Sequence, residues 1–445
     1  MKNILLLGAG KSATVLIDYL LLEAAKENWF VIVSDADLSL AKSKVGNSSF
    51  AKALILDIND ETERAEAIKQ ADIVISLLPP ALHFLAAKDC ILYSKNLLTA
   101  SYIDDNIKDL RGDIEKKGIL FLCEMGLDPG IDHMSAMKMI NDIRAKQGTI
   151  ISFKSHCGGL VAPENDDNPW HYKISWNPRN IVLAGKAGAI FRQQGKKITV
   201  AYDKVFEDCP ELLVDNLPTL AWYPNRDSLS YASLYGLEES GTFIRTTLRY
   251  ASFCRGWDVI CHLGLTDTED DISKNETISE WFHEKIKGIE LRKMEWMEYL
   301  RLYVRDEYHT EITEQVDYLG LFEIVPLPLH AKCSADVLQS LLEAKLVLHP
   351  HDKDMIVMLH EIEAETAGIK SEIKSTLIVY GEDSLRTAMA KTVGLPLGIA
   401  AKLILNGKIK LKGLYIPVLK EIYEPLLNEL ENQGIRFNET VKVTA

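Results

Sequence analysis

Arginines are concentrated in two short stretches of a chain that is acidic as a whole. The formal net charge is −14, yet Arg226 lies in YPNRDS and both Arg245 and Arg249 lie in TFIRTTLRY. A strand over residues 242–250 would place Arg245, Thr247 and Arg249 on one face, because strand side chains alternate with a period of two. Guanidinium groups stay charged and bind carboxylates in a bidentate fashion. The stretch therefore favours a ligand with several carboxylates, and an ordinary salt-bridge network is the alternative.

A second group of polar residues follows predicted strand ends or lies in turns. Its members are Ser101, Tyr102, Glu124, Asp128 and Cys157. Open parallel sheets present such positions to a ligand. Asp128 precedes Pro129 in a restricted turn, which suits a fixed carboxylate acting as a base or a hydrogen-bond acceptor, whereas backbone capping is its alternative role. Cys157 fits a small buried filler, but Gly158 and Gly159 behind it indicate a close approach to the backbone.

The N-terminal stretch MKNILLLGAGKSA has the spacing G-x-G-x-x-A at Gly8, Gly10 and Ala13. Gly8 permits a tight turn, Gly10 lets a pyrophosphate approach the backbone, and Ala13 keeps the following helix close to the strand. The N–H groups at the helix start would then face the phosphates. A glycine turn without a phosphate is the alternative, and the strand order that follows favours the dinucleotide site.

Asp35 follows the second predicted strand, residues 29–34. A carboxylate at this position accepts hydrogen bonds from the adenosine ribose, whereas a 2′-phosphate would meet its negative charge. With Asp37 nearby and no arginine beside it, Asp35 predicts NAD over NADP as cofactor, NADP being the alternative. Lys42 and Lys44 lie too far along the chain to change this prediction.

Short apolar runs bounded by turn residues predict a doubly wound parallel sheet in the first part of the chain. Its fourth strand ends at Leu77, Leu78 and Pro79, where such folds bind ligands, although each of these residues could equally be a plain strand end. The turn-rich segment 125–133 ends this domain. Longer alternating strands follow up to Tyr250 and predict an α/β substrate domain.

The remaining sequence predicts a helical insertion and a return to the sheets. Residues 267–346 have a helical signature. Two strand runs follow at 355–363 and 371–380. We then expect a helix over 385–400, interrupted near Gly394 and Pro396, and another over 415–434.

Composition and charge limit the function classes. With 47% hydrophobic and 26% charged residues over 445 positions, the chain is typical of a globular protein with two or three domains. Its negative charge argues against a broad basic face for nucleic acid or an anionic membrane. The longest apolar candidate, residues 15–25, is interrupted by Asp18 and is shorter than the ~18 residues of a membrane span. We therefore expect no nucleic acid and no membrane as partner.

Cysteine and histidine spacing predicts neither disulfides nor a metal site. Seven cysteines form no C-x-x-C pair and are odd in number, which favours reduced thiols in a cytoplasmic protein. His349, His351 and His360 lie around a predicted strand start, where alternation explains them better than metal binding.

The motifs taken together cover nearly the whole chain. They are GAGKSA, ISLLPP, TASY, GLDPGIDH, SHCGGL, APENDDNPWHYKISWNPR, YPNRDS, RTTLRY and AKTVGLPLGIAAKLIL. This set resembles the L-glutamate-forming saccharopine dehydrogenase family, also called saccharopine reductase. Four positions depart from the family's usual pattern: His156 replaces Tyr, Val161 replaces Pro, and Asn180 and Thr246 replace Gly.

The resemblance implies a Rossmann-type doubly wound parallel sheet with an inserted α/β substrate domain that carries a helical insertion. The implied boundaries are 1–126 with 393–445 for the dinucleotide domain, 127–266 with 347–392 for the substrate and dimerisation domain, and 267–346 for the insertion. The implied reaction converts saccharopine, NAD(P)⁺ and water to L-glutamate and 2-aminoadipate 6-semialdehyde in lysine metabolism. A homodimer is the expected assembly.

Site residues are assigned by matching the family's motifs to positions in this chain. The substrate residues are Ser101, Tyr102, Arg226, Arg245, Thr247 and Arg249. The cofactor residues are Gly8, Gly10, Lys11, Ser12, Ala13, Asp35, Asp57, Leu77, Leu78, Pro79, Leu127 and Asp128. Asp128, Tyr102 and Cys157 are the expected polar groups around the reacting amine. A substrate with three carboxylates agrees with arginines on an acidic protein.

Two other functions are compatible with parts of this pattern. An enzyme like carboxynorspermidine dehydrogenase would act on a polyamine substrate and call for acidic residues at the site, so the arginine strand speaks against it. A catalytically silent dinucleotide-binding module would keep GAGKSA but has no need of three arginines, Asp128 and Cys157.

Overall fold

The computed structural model describes residues 1–288 and 295–444. The chain forms two compact units, one built from Met1–Ile150 with Glu363–Ala445 and the other from Ile151–Ile362. The first unit is thus assembled from both ends of the chain. The division into three domains stays a prediction, and residues 289–294 of the predicted insertion lie outside the described residues.

The described residues form the following strands and α-helices, which alternate along most of the first unit. The strands are β1 (Lys2–Leu7), β2 (Trp29–Asp35), β3 (Ala51–Ile55), β4 (Ile73–Ser76), β5 (Asn96–Thr99), β6 (Leu120–Leu122), β7 (Thr149–Val161), β8 (Ala189–Gln193), β9 (Lys196–Val200), β10 (Glu211–Leu212), β11 (Leu220–Pro224), β12 (Arg226–Asp227), β13 (Thr242–Tyr250), β14 (Asp354–Thr366), β15 (Ile369–Tyr380), β16 (Gly413–Tyr415) and β17 (Asn438–Thr444). The α-helices are α1 (Thr14–Glu27), α2 (Leu38–Val45), α3 (Glu61–Lys69), α4 (His83–Leu92), α5 (Asp105–Asp109), α6 (Arg111–Lys117), α7 (Ile131–Ala145), α8 (Pro178–Val182), α9 (Ala232–Tyr235), α10 (Ala251–His262), α11 (Ile278–Gly288), α12 (Trp296–Tyr303), α13 (His309–Tyr318), α14 (Ser334–Lys345), α15 (Ala388–Leu405) and α16 (Lys420–Asn432).

A parallel sheet with the order β16–β6–β5–β4–β1–β2–β3 forms the centre of the first unit. Every neighbouring pair in it is parallel. The strand order reverses between β1 and β4, and doubly wound sheets bind ligands outside the carboxyl ends of the strands at such a point. The predicted Rossmann-type sheet is therefore confirmed.

The predicted interruption of the helix near Gly394 and Pro396 is wrong. Helix α15 runs continuously over Ala388–Leu405 with Pro396 inside it. Its glycines allow close packing on α1, because a Cβ on Gly394 would lie 2.9 Å from the Leu16 Cβ and one on Gly398 would lie 2.6 Å from Tyr19 Cδ1. Tertiary packing of a buried face thus outweighs the hydrogen bond that proline removes.

The same helix, and not the predicted residues 15–25, is the segment of the described chain that is long and apolar enough for a membrane span. It has 18 residues and a mean hydropathy of 1.5, so its length and composition alone would suit a membrane span. Because 72% of that window is buried inside the protein, α15 is better described as a core helix. Tyr415, predicted to begin the last helix, belongs instead to β16, which pairs with β6.

The second unit contains a mixed sheet with the order β10–β11–β13–β7–β14, and β8, β9 and β12 extend it from the side of β13. Strand β13 has the predicted bounds, 242–250. It pairs in parallel with β7, where Thr247 faces Cys157, and in antiparallel with β11, where Thr247 faces Tyr223. The register therefore places two predicted site residues side by side.

Helices α10 to α14 of this unit share a core that is rich in aromatic side chains. Trp170, Trp257, Trp281 and Tyr299 are all fully buried in it. The helical signature predicted over residues 267–346 corresponds to α11, α12, α13 and α14, with residues 289–294 outside the described residues.

Candidate functional site

The glycine turn after β1 packs directly on the end of β4. Gly8 has φ +99°, and a Cβ there would lie 3.0 Å from the Leu77 carbonyl oxygen. Its N–H donates to the Ser34 carbonyl at the end of β2 over 2.8 Å. Only glycine fits this backbone conformation and this approach without strain. The structure thus brings together Gly8, Leu77 and Leu78, which the sequence assigned to one cofactor site.

The backbone around Gly10 leaves room for an anion. A Cβ on Gly10 would meet no atom within 4 Å among the described residues. Lys11–Ala13 form a 3₁₀ turn, and α1 begins at Thr14. Within the described chain, no side chain caps this turn or the start of α1, and neither first turn contains Asp or Glu. The positive end of the helix dipole is therefore available to a phosphate.

Asp35 is held at the end of β2 by two main-chain donors. Its Oδ2 accepts from the N–H of Ala9 at 2.7 Å and its Oδ1 from the N–H of Asp37 at 3.0 Å. The carboxylate is therefore fixed beside the glycine turn. In dinucleotide sites of this kind, a ribose hydroxyl of the bound dinucleotide lies at this position.

Lys44 lies at the same turn, although its distance along the chain argued against a role. Its Nζ donates to the Gly10 carbonyl oxygen and, over 3.0 Å, to Thr14 Oγ1. Burial lowers the pKa of Lys44 to about 8, and the nearby carboxylates of Asp35 and Asp18 limit the decrease. The sequence alone did not predict this contact, because it forms only when α2, which carries Lys44, packs beside the glycine turn.

Asp57 and Pro79 lie at the carboxyl ends of β3 and β4 and are exposed. Asp57 Oδ1 accepts from the N–H of Asn59 at 2.9 Å. Pro79 immediately precedes a 3₁₀ turn over Pro80–Leu82. Their roles in cofactor binding stay predictions.

Tyr102 and Asp128 meet in the first unit. The Tyr102 hydroxyl donates to Asp128 Oδ1 over 3.1 Å. Asp128 lies between the buried Leu127 and a cis peptide bond to Pro129. Gly126 and Gly130 hold the turn together, since a Cβ on Gly130 would lie 2.1 Å from the Gly126 oxygen. The turn thus presents the Asp128 carboxylate to the Tyr102 phenol.

A buried glutamate ties the Tyr102 segment to the helix after this turn. Glu124 is 3% exposed and its Oε1 accepts from the N–H of Ile103 at 3.1 Å. Its Oε2 lies 2.9 Å from Nε2 of the fully buried His133, the third residue of α7. Asp132 Oδ1 accepts from the N–H of Gly130 at 2.6 Å. Glu124, which the sequence singled out, therefore positions the neighbouring segments.

Ser101 belongs to a hydroxyl and imidazole network that the sequence prediction missed. Its Oγ lies 2.8 Å from Nε2 of His83, and the His83 Nδ1 lies 2.8 Å from Ser76 Oγ. Burial lowers the pKa of His83 to about 4, so the ring is neutral at physiological pH. The signal in the sequence is the histidine at the start of the helix after ISLLPP.

The two strand arginines lie against aromatic rings in the second unit. Arg245 is 3% exposed and its guanidinium carbon lies 4.5 Å from the centroid of the Tyr231 ring. Arg249 is 5% exposed and lies 5.2 Å and 5.5 Å from the centroids of Tyr172 and Phe253. All three distances are within the range of cation–π attraction.

Arg249 has no anionic partner in residues 1–288 and 295–444. Its Nη1 donates to the main-chain oxygen of Leu248 at 2.7 Å, with Gly159 O at 3.5 Å, and its Nε is buried without a partner. A buried charge without a counter-charge is costly in free energy. A carboxylate from a ligand would supply the missing partner, whereas the alternative of a salt-bridge network does not apply to this arginine.

Arg226 differs from the other two arginines. It is exposed, has φ +50° and forms β12, which pairs in parallel with β8. The preceding Asn225 donates its N–H to the Arg245 carbonyl at 2.9 Å, so the segment that contains Arg226 lies beside β13. Its role in a clamp stays a prediction.

Two of the departures from the family pattern contact each other. His156 Nδ1 lies 2.7 Å from Thr246 Oγ1. Thr246 alternates with Arg245 and Thr247 along β13, so this pair lies on the opposite face from the arginines. The replacements therefore do not alter the face that carries the predicted substrate residues.

The predicted residues are thus distributed over two surfaces. Ser101, Tyr102 and Asp128 lie in the first unit with the glycine turn, while Thr247, Cys157 and the arginines lie in the second. Within the described residues, no group of three or more His, Cys, Asp or Glu is placed to hold a metal ion.

Two family models match almost the whole chain. The saccharopine dehydrogenase NADP binding domain matches residues 4–122. The saccharopine dehydrogenase C-terminal domain matches residues 126–435.

Relatives that align with nearly the whole of this chain have names that agree with the descriptions of these two models. Saccharopine dehydrogenase [NADP(+), L-glutamate-forming] from Saccharomyces cerevisiae is 34% identical over 98% of this chain and 99% of its own length. Alpha-aminoadipic semialdehyde synthase from Arabidopsis thaliana is 35% identical over 98% of this chain but 45% of its own length. This chain therefore spans about half the length of relatives of the second kind.

A solved structure aligns with nearly the complete chain. Apo histidine-tagged saccharopine dehydrogenase (L-Glu forming) from Saccharomyces cerevisiae aligns with a TM-score of 0.88 and 33% identity, over 99% of this chain and 100% of that one.

Proposed function

Because the chain belongs to the saccharopine dehydrogenase family, we propose that it oxidises saccharopine with a nicotinamide dinucleotide and water. The products are L-glutamate, 2-aminoadipate 6-semialdehyde, the reduced dinucleotide and a proton. The fungal relative named above carries the L-glutamate-forming reaction in its name. The predicted homodimer and cytoplasmic location stay predictions.

The buried charge of Arg249 is the observation that carries this proposal. Arg249 is 5% exposed and has main-chain oxygens and aromatic rings as its partners within the described chain. Saccharopine has three carboxylates, each of which could pair with a guanidinium. Arg245 and Thr247 lie on the same face of β13 as Arg249 and extend this surface.

The geometry of the glycine turn and of the start of α1 fits a bound dinucleotide. Gly8 closes on Leu77, Gly10 has open space beside its Cα, and the start of α1 has no acidic residue in its first turn. Gly8, Gly10, Lys11, Ser12 and Ala13 would hold the pyrophosphate, and Asp35 would bind the adenosine ribose.

We propose that NAD is the preferred dinucleotide, although the fungal relatives are named for NADP(+) and the matching domain model is an NADP binding domain. The fixed Asp35 carboxylate would repel a 2′-phosphate, and Asp37 adds a second negative charge nearby. Lys44 is the cation that could offset this repulsion, but its Nζ is already engaged with the Gly10 carbonyl oxygen and Thr14 Oγ1.

The polar groups of the first unit suit proton handling at the substrate amine. When bound, the dinucleotide would supply the acceptor for the hydride from the carbon on the lysine side of the amine. Asp128, hydrogen-bonded to the Tyr102 phenol at 3.1 Å, would accept the amine proton, and Tyr102 would orient that carboxylate. Water then adds to the substrate imine, and cleavage of the carbon–nitrogen bond releases glutamate. We assign to the buried Cys157 a polar contact with the substrate amine.

Steady-state assays with both dinucleotides test the proposal. Saccharopine should support formation of the reduced dinucleotide, with a higher kcat/KM for NAD⁺ than for NADP⁺. Turnover of carboxynorspermidine in place of saccharopine would replace the proposed function with the polyamine alternative, and tight dinucleotide binding without turnover would indicate a silent module. A higher kcat/KM with NADP⁺ would refute only the proposed preference for NAD. In that case, Asp35→Ser should leave the ratio of the two kcat/KM values unchanged.

A further inference from the structure

A lysine side chain on α2 contacts the main chain of the glycine turn. Lys44 Nζ donates to the Gly10 carbonyl oxygen and, over 3.0 Å, to Thr14 Oγ1. The Gly10 oxygen also accepts from the N–H of Ala13 at 3.0 Å. Burial lowers the pKa of Lys44 to about 8, so the ammonium form predominates at pH 7. Because an ammonium group can only donate and a carbonyl can only accept, the direction of these hydrogen bonds is fixed.

Thr14 extends this contact to a second carbonyl of the turn. Its hydroxyl oxygen accepts from Lys44, and its proton is directed at the Lys11 carbonyl oxygen 3.4 Å away. Thr14 is 8% exposed, so little water can compete for these contacts. Lys44 therefore holds the carbonyls of two successive residues, Gly10 directly and Lys11 through the Thr14 hydroxyl.

The two carbonyls determine where the neighbouring N–H groups point. A trans peptide group is planar and directs its N–H opposite to its C=O. The N–H groups of Lys11 and Ser12 therefore point away from Lys44. The first N–H groups of a helix have no partner inside that helix, and no side chain among the described residues caps this turn. Both groups are thus oriented as donors for an anion.

We propose that Lys44 is a positioning residue that fixes the N–H groups of Lys11 and Ser12 as donors to the pyrophosphate of the dinucleotide. This inference rests on the proposed function, in which the glycine turn binds the pyrophosphate, and it identifies the side chain that orients the turn. Donors that are already oriented bind an anion more tightly, because no conformational entropy is lost in ordering them. Lys44 acts through the main chain and needs no contact with the ligand.

Fluorescence titration of the protein with NADH, or with NADPH if the wild type binds it more tightly, tests this role without saccharopine. We expect Lys44→Met to raise the Kd about tenfold, because hydrogen bonds to a charged group are weakened. ADP-ribose, which contains the pyrophosphate, should lose affinity by the same factor in competition. Adenosine, which has no phosphate, should bind as it does to the wild type. Thr14→Val, which changes no charge, should raise the Kd about threefold.

Further variants distinguish positioning from a general effect on the fold. Lys44→Arg retains the charge and the donors and should recover most of the lost affinity. Lys42→Met is the matched control, since Lys42 is an exposed lysine on the same helix, and it should leave the Kd unchanged. In Lys44→Met, the KM for saccharopine at saturating dinucleotide and the far-UV circular dichroism should match the wild type.

An unchanged Kd in Lys44→Met overturns the inference, and so does an equal loss of affinity for adenosine, which would indicate a deformed site. A tenfold loss in Lys44→Met with none in Thr14→Val would assign the effect to the charge of Lys44 and would also overturn it. If Lys44→Met does not fold, an unchanged Kd in Thr14→Val overturns it equally. A wild type that binds the dinucleotide but does not oxidise saccharopine rejects the proposed reaction, while the same titrations still decide this inference.

Discussion

In the proposed function, Arg249 favours substrate binding at the expense of stability. Its guanidinium is 5% exposed and lacks a carboxylate partner within the described chain. Replacing an uncompensated buried charge by an apolar side chain of similar length removes its desolvation cost.

We predict that Arg249→Met lowers kcat/KM for saccharopine by about 10²-fold or more while raising the free energy of unfolding by about 1 kcal/mol. Steady-state kinetics and urea denaturation measure the two changes. Arg436→Met is the control, because Arg436 is exposed and pairs with Glu431 at 3.0 Å, so neither quantity should change. Lower stability with unaltered kinetics would assign Arg249 to the fold alone.

His83 makes stability depend on pH in a defined direction. Burial lowers its pKa from 6.5 to about 4, so the unfolded chain binds a proton between these values that the folded protein does not bind. This contribution is fully present above about pH 6.5 and is lost as the pH falls toward 4.

We expect the wild type to lose about 3 kcal/mol of unfolding free energy through this group over that interval. The decrease between pH 7 and pH 4.5, measured by urea denaturation, should be smaller in His83→Gln. Equal decreases in both proteins would show that the imidazole is not kept neutral by burial.

The placement of residues on one face was predictable from the sequence where local periodicity determines it. Alternation along one strand was sufficient to place Arg245, Thr247 and Arg249 on one face of β13. His83 and Lys44 were missed because their partners, Ser101 and Gly10, are distant in sequence and are brought close only by packing of helices on the sheet.

The two glycines of the turn after β1 have different physical functions. Gly8 has φ +99° and lies against Leu77, whereas Gly10 has a backbone that any residue adopts and open space beside it. The fold therefore requires the first glycine, and the proposed ligand requires the second.

We predict that Gly8→Ala lowers the free energy of unfolding by about 1–3 kcal/mol, through backbone strain and the contact with the Leu77 oxygen. Gly10→Ala should leave the unfolding free energy within about 0.5 kcal/mol of the wild type but weaken NADH binding in a fluorescence titration. Unchanged NADH affinity in Gly10→Ala would place the dinucleotide elsewhere.

Element prediction succeeded for strands and was less accurate for buried helices. Short apolar runs predicted the parallel strands of the first unit, and alternation predicted the bounds of β13. Helix α15 continues through Pro396 because its small residues pack on α1, a tertiary contact that local helix rules do not include. Tyr415 was assigned to a helix, yet it joins the sheet because β6 offers it a pairing partner.

At the scale of the whole molecule, the chain forms a first unit from both of its ends and a second unit between them. Apolar runs along the sequence could predict the doubly wound sheet, but the contribution of the C-terminal strand β16 to that sheet could not be read from spacing alone. The motif resemblance supplied the use of both chain ends in one domain.

The identity of the products tests the central claim most directly. Saccharopine has a carbon on each side of its secondary amine, and oxidation at one side or the other gives different products. With saccharopine and NAD⁺ as sole reactants, mass spectrometry should detect L-glutamate and 2-aminoadipate 6-semialdehyde in amounts equal to the NADH formed. Formation of lysine and 2-oxoglutarate, or NADH without glutamate, would contradict the account.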